Sequence, residues 1–194
     1  MSYIGGYLAS LRKKYTEELI KNKVLVTSNA TLDDISTCGI DGGYLTGPEA
    51  IIQMSEASIH HSKRYKVAKI VFDMKKKFSL NGFAMRGTIT CCWLKSYSFM
   101  GSNDNINWNL IRYNSNTDLQ KNTNWYGYEV NNSRYRYYGI FQDPDSSKAG
   151  CGGDYWFSLS GIDFLKTNYY EEMMTCKQAS SFKIRLFVYL FIAY

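Results

Sequence analysis

Cys91 and Cys92 beside Trp93, with His60 and His61 upstream, are the residue types from which a zinc site or a thiol nucleophile is built. Their spacing argues against both uses. Neighbouring side chains on a strand point to opposite faces, so adjacent cysteines do not readily share one ion, and no C-x-x-C occurs. A Cys-His catalytic pair finds still less support. Buried or half-buried free cysteines are the expected reading. Glycoside hydrolysis would need two acids facing each other across a cleft. Asp143 and Asp145, on either side of Pro144, suit turn chemistry better. The chain is therefore expected not to be an enzyme.

The 194 residues, 45% hydrophobic and 21% charged, are enough for one globular domain with its own core. Aromatic residues make up 16%, with 17 Tyr against 2 Pro, a balance that fits the half-buried surface of strands. The net charge of +6 is spread over short clusters, Arg12-Lys13-Lys14, Lys63-Arg64 and Lys75-Lys76-Lys77. No long basic run or zinc-knuckle spacing accompanies them, so solvated turns and helix faces are expected and nucleic-acid binding is not. Five cysteines form no framework spacing, and the start Met1-Ser2-Tyr3-Ile4-Gly5-Gly6 has no secretory apolar region. Both point to reduced thiols in an intracellular, cytoplasmic setting. The apolar tail from Phe182 to Tyr194 contains Lys183 and Arg185 and is shorter than the roughly 20 apolar residues of a membrane span. An extra strand, an interfacial segment and a non-native chain end all remain open for it.

The elements that must position any site follow from periodicity. Leu8, Leu11, Tyr15 and Leu19 recur at helical spacing over residues 7 to 21 among charged residues, which predicts an N-terminal amphipathic helix. It docks on the domain C-terminal to it, or it is the remnant of an oligomerisation or upstream-domain connection. Val24 and Val26 alternate with Leu25 and Thr27 in a first strand, and a Gly- and Asp-rich loop then runs to Gly47. Pro48 with Ile51, Met54 and Ala57 predicts a short helix. After Lys66, three short strands are expected, around Ile70 and Phe72, Phe78 and Leu80, and Phe83 and Met85. Tyr97 and Phe99 alternate with Ser96 and Ser98, a dry face against a wet one. Gly101-Ser102-Asn103-Asp104, four residues before Trp108, writes a β-hairpin in which Asn105 takes a position that favours positive φ and Trp108 covers the sheet. Tyr135 to Phe141 and Phe157 to Leu165 give further strands. Strands at these intervals without helices between them predict a β-sandwich or jelly roll.

Three motifs fall in a set order: Phe78-Ser79-Leu80-Asn81-Gly82-Phe83; Tyr97 to Asp104 with Trp108; then Arg136-Tyr137-Tyr138-Gly139-Ile140 with Phe157 to Phe164, which contains Leu159-Ser160-Gly161-Ile162-Asp163. Together they resemble the discoidin family, also called coagulation factor 5/8 type C domains. The resemblance spans about Ile70 to Leu165 and extends back to Val24. It implies an all-β fold, an antiparallel jelly-roll β-sandwich of the galactose-binding-like kind, over residues 23–166. Residues 1–22 are then an N-terminal helical extension and 167–194 a C-terminal tail, which leaves Glu171 and Glu172 outside the domain. Gly139 stands where the family usually has a second Arg and is expected to weaken its strand. Leu165-Lys166 replaces an aromatic-Gly ending. No Cys lies beside Val24 or directly after Leu165, so the end-to-end disulfide of secreted members is not implied. That favours intracellular relatives, protein-interaction modules beside BTB, kelch or HECT-ligase segments.

The family topology would bring loop residues together at one end of the sandwich: Asp41 and Tyr44 near the first strand, Arg86 and Trp93 around Gly87, Lys148 and Asp154 before the last strand. An aromatic platform with a few fixed donors and acceptors suits a sugar or a polar peptide. The competing reading makes Trp93 a core residue and Arg86 a solvated strand residue. Relatives also carry a loop calcium ion, for which Asp33, Asp41 or Asp154 are candidates, although no spacing supports one; no other cofactor is expected. The resemblance thus implies a non-enzymatic module that recognises a protein partner or a carbohydrate. A secreted lectin-like adhesion module and a hydrolase are the alternatives.

Overall fold

Two strands of 18 residues each, β4 and β7, organise the chain. The computed structural model describes residues 6–14, 20, 22–29, 44–45, 58–61, 68–87, 94–115, 119, 124–143 and 158–166, with the backbone alone for 44–45, 58–61 and 158. In order these are α1 (Tyr7–Lys14), β1 (Leu25–Ser28), β2 (Tyr44–Leu45), β3 (Ser58–His61), β4 (Lys69–Arg86), β5 (Tyr97–Ser102), β6 (Asn109–Asn114), β7 (Trp125–Gln142), β8 (Ser158–Leu159) and β9 (Gly161–Leu165). The larger sheet runs β1-β4-β7-β5-β6, with β9 also on β4. In the smaller one, β2 pairs parallel with β3 and β3 pairs antiparallel with β8.

The three short strands expected after Lys66 are one bent strand. Between the pairs Asp73↔Tyr137 and Phe78↔Tyr135, β4 advances five residues while β7 advances two. The surplus is absorbed at Lys75, whose φ is 62° and whose amide donates to Asp73 Oδ1 at 2.8 Å. A second irregularity between Leu80 and Gly82 changes the phase, so that Leu80 and Phe83, an odd step apart, are both fully buried. Each break resets the alternation, which is why the periodicity divides where the backbone does not.

The bends let β4 and β7 serve two layers. Their Lys69–Asp73 and Tyr137–Phe141 stretches pair with each other beside β1 and β5, while Gly82–Arg86 of β4 is flanked by β7 and β9. Contacts between the layers run outward in step. The Tyr138 hydroxyl donates to the Phe78 carbonyl at 2.6 Å, Phe83 stacks on Phe99 at 4.1 Å, and Tyr97 meets Tyr128 edge-on at 6.4 Å. Phe72 and Phe164 close the middle at 5.2 Å. One end of the sandwich is therefore the corner where β4 and β7 bend, and the other is where their termini lie.

The amphipathic helix belongs to this core. Leu8 and Leu11 are buried, and Tyr7 packs on Phe78 at 4.6 Å. Its first turn is held from β9: the fully buried Asp163 carboxylate accepts the amides of Gly6 (2.7 Å), Leu8 (2.7 Å) and Ala9 (3.2 Å). These are donors a helix start leaves unsatisfied, and the carboxylate charge also suits the positive end of the dipole. The approach requires Gly6, because a Cβ there would lie 2.6 Å from the Phe164 carbonyl. Residues 15–19 of the expected helix, and the one expected over Pro48 to Ala57, lie outside the described residues. His60 and His61 sit on β3.

The hairpin forms as expected. Asn105 has φ 63°, and the Ser102 hydroxyl donates to Asp104 Oδ1 at 2.9 Å while accepting the Asn105 amide at 3.0 Å. Asp104 accepts in addition the Asn107 side-chain amide (2.8 Å) and the backbone amides of Ile106 (2.9 Å) and Asn107 (2.8 Å). These bonds, led by the Asn107 side chain, hold its carboxyl far below the usual carboxylate range. Trp108 covers the sheet, 4.8 Å from Phe141. Gly139, expected to weaken β7, instead makes room: a Cβ there would come 2.6 Å from Phe141 and 3.2 Å from Trp108. Ser96, expected on the wet face, is buried and its carbonyl accepts the Asp143 amide at 3.1 Å.

Both carboxylates yield a measurable outcome. Asp163→Ala removes the acceptor of four amides, those of Gly6, Leu8, Ala9 and Phe164, and should lower stability by about 2–4 kcal/mol, read from urea unfolding. Asp104 ionises more easily folded than unfolded, so its contribution is complete above about pH 4 and is lost as pH falls toward its folded value. Asp104→Asn should therefore shrink the difference between urea midpoints measured at about pH 7 and about pH 2.5.

Candidate binding site at the loop end

The termini opposite the corner are tied together by the backbone. The Asn29 amide donates to the Lys69 carbonyl (3.4 Å), the Lys69 amide to Asn29 Oδ1 (2.8 Å), and the Gln142 amide to the Ala68 carbonyl (2.9 Å). With the Ser96–Asp143 bond, these join the end of β1, the start of β4, the approach to β5 and the end of β7. Asn114, the last residue of β6, pairs with Tyr97. In the second layer β4 ends at Arg86, β7 begins at Trp125 and β9 begins at Gly161, all in register. Chain segments leave this end from Asn29, Gly87, Ser115 and Asp143, and others arrive at Leu94 and Asn124.

Arg86 is the charged centre of this end. It is 5% exposed, with Nε donating to Ser160 Oγ (3.0 Å), a terminal guanidinium nitrogen donating to the Ser160 carbonyl (3.2 Å), and Cζ 5.4 Å from the Trp125 ring centre. The Ser160 hydroxyl donates in turn to the Gly87 carbonyl, and the Ser160 amide to the Arg86 carbonyl (3.3 Å). Gly161 lets Trp125 close over this unit, since a Cβ there would lie 2.9 Å from the indole. The side chain is thus neither solvated nor projecting. It pins the β8–β9 link to β4 and backs the half-buried Trp125 with a positive charge.

A second arginine bridges the layers. Arg112 Nε donates to Asn114 Oδ1 (2.9 Å), its terminal nitrogen to the Glu129 carbonyl (3.1 Å), and its guanidinium lies 5.4 Å from the Tyr128 ring centre. Behind it Tyr97 is fully buried; that burial first, and the neighbouring Tyr128 phenol second, push its hydroxyl well above its ordinary value despite the Arg112 charge. At the rim the Tyr113 hydroxyl donates to Asp143 at 2.5 Å. Such an end offers aromatic faces and fixed donors, the chemistry of polar recognition. Among the described residues no group of three His, Cys, Asp or Glu could hold a metal, and no helix is long and apolar enough to cross a membrane.

The sequence model of the F5/8 type C domain matches residues 31–135, just over half of the chain. The chain belongs to the F5/8 type C family. No curated protein sequence matches it. Among solved structures, this F5/8 type C domain is similar to CpGH89CBM32-5 from Clostridium perfringens, solved with GalNAc-β-1,3-galactose, at a TM-score of 0.56 and 16% identity over 75% of this chain and 97% of that one. The family 32 carbohydrate-binding module of C. perfringens NanJ, solved with galactose, gives 0.54 and 10% over 74% and 94%. A putative chitobiase fragment from Bacteroides thetaiotaomicron gives 0.55 and 18% over 74% and 89%. The galactose-binding-like β-sandwich expected from the sequence is the fold.

Of the six residues expected to contact ligand in this F5/8 type C domain, Arg86 stands at the loop end, holding Trp125 and Ser160 in place. Tyr44 begins β2, paired with Ser58. Asp41, Trp93, Lys148 and Asp154 lie outside the described residues, as do Cys91 and Cys92. Trp125, Arg112 and Ser160 were not anticipated. Trp125 had a signal, as the first of the aromatic run Trp125-Tyr126-Gly127-Tyr128 that opens a strand, and Ser160 lies within the family's Leu159-Ser160-Gly161 step. Ser160→Ala removes one acceptor from a buried guanidinium and should cost about 1–2 kcal/mol in chemical denaturation without changing the far-ultraviolet spectrum.

Proposed function

We propose that this domain is a non-catalytic binding module that takes a carbohydrate at its loop end, and that the chain as a whole has no enzymatic activity. The observation that carries the reading is the Arg86–Trp125 pair, fixed by Ser160 at the end where the strand termini converge. An indole backed by a guanidinium and packed against Gly161 is a platform for the apolar face of a sugar ring, and it loses little side-chain freedom on binding. The complexes of the CpGH89CBM32-5 module with GalNAc-β-1,3-galactose and of the NanJ module with galactose support this ligand class. A protein ligand is the second reading. It is favoured by Ile106 and Leu110, exposed at 79% and 60% on the β6 side.

A glycan array followed by calorimetry tests the proposal. Saturable binding to a neutral glycan is expected, weakened about tenfold or more, near 1.4 kcal/mol, by Trp125→Ala with the melting transition retained. A chain that binds no glycan overturns the carbohydrate reading, and saturable capture of one defined protein in its place establishes the second.

A further inference from the structure

We propose that the corner of the sandwich, at the end opposite the loops, is a second binding site, for an acidic polysaccharide. The basic clusters of this chain are short in sequence, but strand pairing enlarges one of them. β4 carries Lys75, Lys76 and Lys77 through its bend, and the registers Phe78↔Tyr135 and Ser79↔Arg134 lay Arg134 and Arg136 of β7 against the same bend. One carboxylate, Asp73, stands among these five cations. It is already taken: Arg136 grips it with two bonds, 2.9 and 3.0 Å, and Lys75 Nζ lies 3.5 Å away. Burial alone would raise the Asp73 carboxyl, and the Arg136 and Lys75 interactions together bring it below its usual range, so it stays an anion. The exposed Lys76, Lys77 and Arg134 have no ion-pair partner among the described residues. Lys166, with Nζ 5.8 Å from the Phe78 ring centre, adds a cation beside them.

This concentration of charge comes with a backbone cost. Lys75 holds a positive φ that a long side chain rarely takes, and Gly or Asn would fill the position with less strain. Successive like charges add repulsion that an anionic partner relieves. The geometry also selects the partner. Flexible ammonium groups beside a fork-shaped guanidinium match carboxylates or sulfates spaced along a chain. Nucleic acid fits less well, because the ring bases would stack on, Tyr137, lies under the Arg136 guanidinium at 4.9 Å. Ile106 and Leu110, large apolar side chains exposed on the hairpin and β6, are too few for a membrane anchor. The ligand class draws on the carbohydrate reading above; the site does not, since it shares no residue with the loop end.

The test uses the full chain with polygalacturonate and with a heparin-type sulfated polysaccharide, and with polyuridylate RNA and phosphatidylserine vesicles as competitors, at about 50 and 200 mM salt. Binding to a polysaccharide is expected, falling about tenfold to a hundredfold over that salt range for three or four neutralised groups. Lys76→Glu with Lys77→Glu should weaken it at least tenfold, and Arg134→Glu should do so independently, while Trp125→Ala leaves it unchanged. Melting curves establish that the variants fold. Polysaccharide binding that survives both corner variants overturns the proposal, as does RNA or vesicle binding as tight as that of either polysaccharide. Neutral-glycan binding retained in the corner variants, or lost only in Trp125→Ala, keeps the two sites separate.

Discussion

Everything in this domain depends on β4 and β7 pairing along nearly their whole length while belonging to two layers. A ribbon of that length cannot stay flat and also bury both halves against each other, so it must bend. The bend is made where extra residues enter, at Met74–Lys77 on β4 and around Val130–Asn132 on β7, where the partner strand steps from Ser133 to Glu129 as β4 steps from Leu80 to Gly82. The inward residues on either side then meet: Phe72 and Tyr138 of one layer pack on Phe164 of the other, edge-on at 5.2 Å and tilted at 5.7 Å. Within the β4 bend Met74 stays in the core, while the three residues after it turn outward when the pleat breaks and are lysines.

Once that ribbon is set, the rest is fastened to it by close approaches that only glycine allows. Gly101 lies beneath Tyr135, where a Cβ would come 2.2 Å from the ring, and Gly139 lies beneath Trp108 and Phe141. In both places an aromatic ring from a neighbouring position covers a bare stretch of backbone, so the lost side chain is replaced by packing. Asp163 does the same work at the other surface by polar means. Its carboxylate joins α1 to β9 and thereby seals Phe78 under Tyr7. The helix is short and carries no acidic residue in its own first turn, so the charge that stabilises its start comes from the sheet.

Much of this was legible in the sequence because it is local. The hairpin is written in Gly101 to Asn105, the alternation in Val24 and Val26, and the family in the order of its motifs. What was not legible is what depends on register. Arg86 reads as a solvated or ligand-facing residue because its neighbours in sequence do not reveal Ser160, which lies 74 positions away. Gly139 reads as a weak point because Trp108, which covers it, is far from it along the chain. The break in β4 reads as two strand ends because a bulge and a turn both interrupt alternation, and only the pairing of Phe78 with Tyr135 tells them apart.

The same distinction bears on how a binding site is built in such a fold. A guanidinium with most of its surface removed from water, bonded to both the hydroxyl and the carbonyl of one serine, is poorly suited to meeting a ligand directly. Freeing it would break bonds worth more than a surface contact returns. Its influence passes through Trp125, which it holds in place, and through the Ser160–Gly161 link, which it fixes against β4. Ligand choice can then change in the loop residues while this support stays constant. On the carbohydrate reading proposed above, a charged residue at the mouth of the sandwich sets where the recognition surface stands, and its neighbours set what that surface binds.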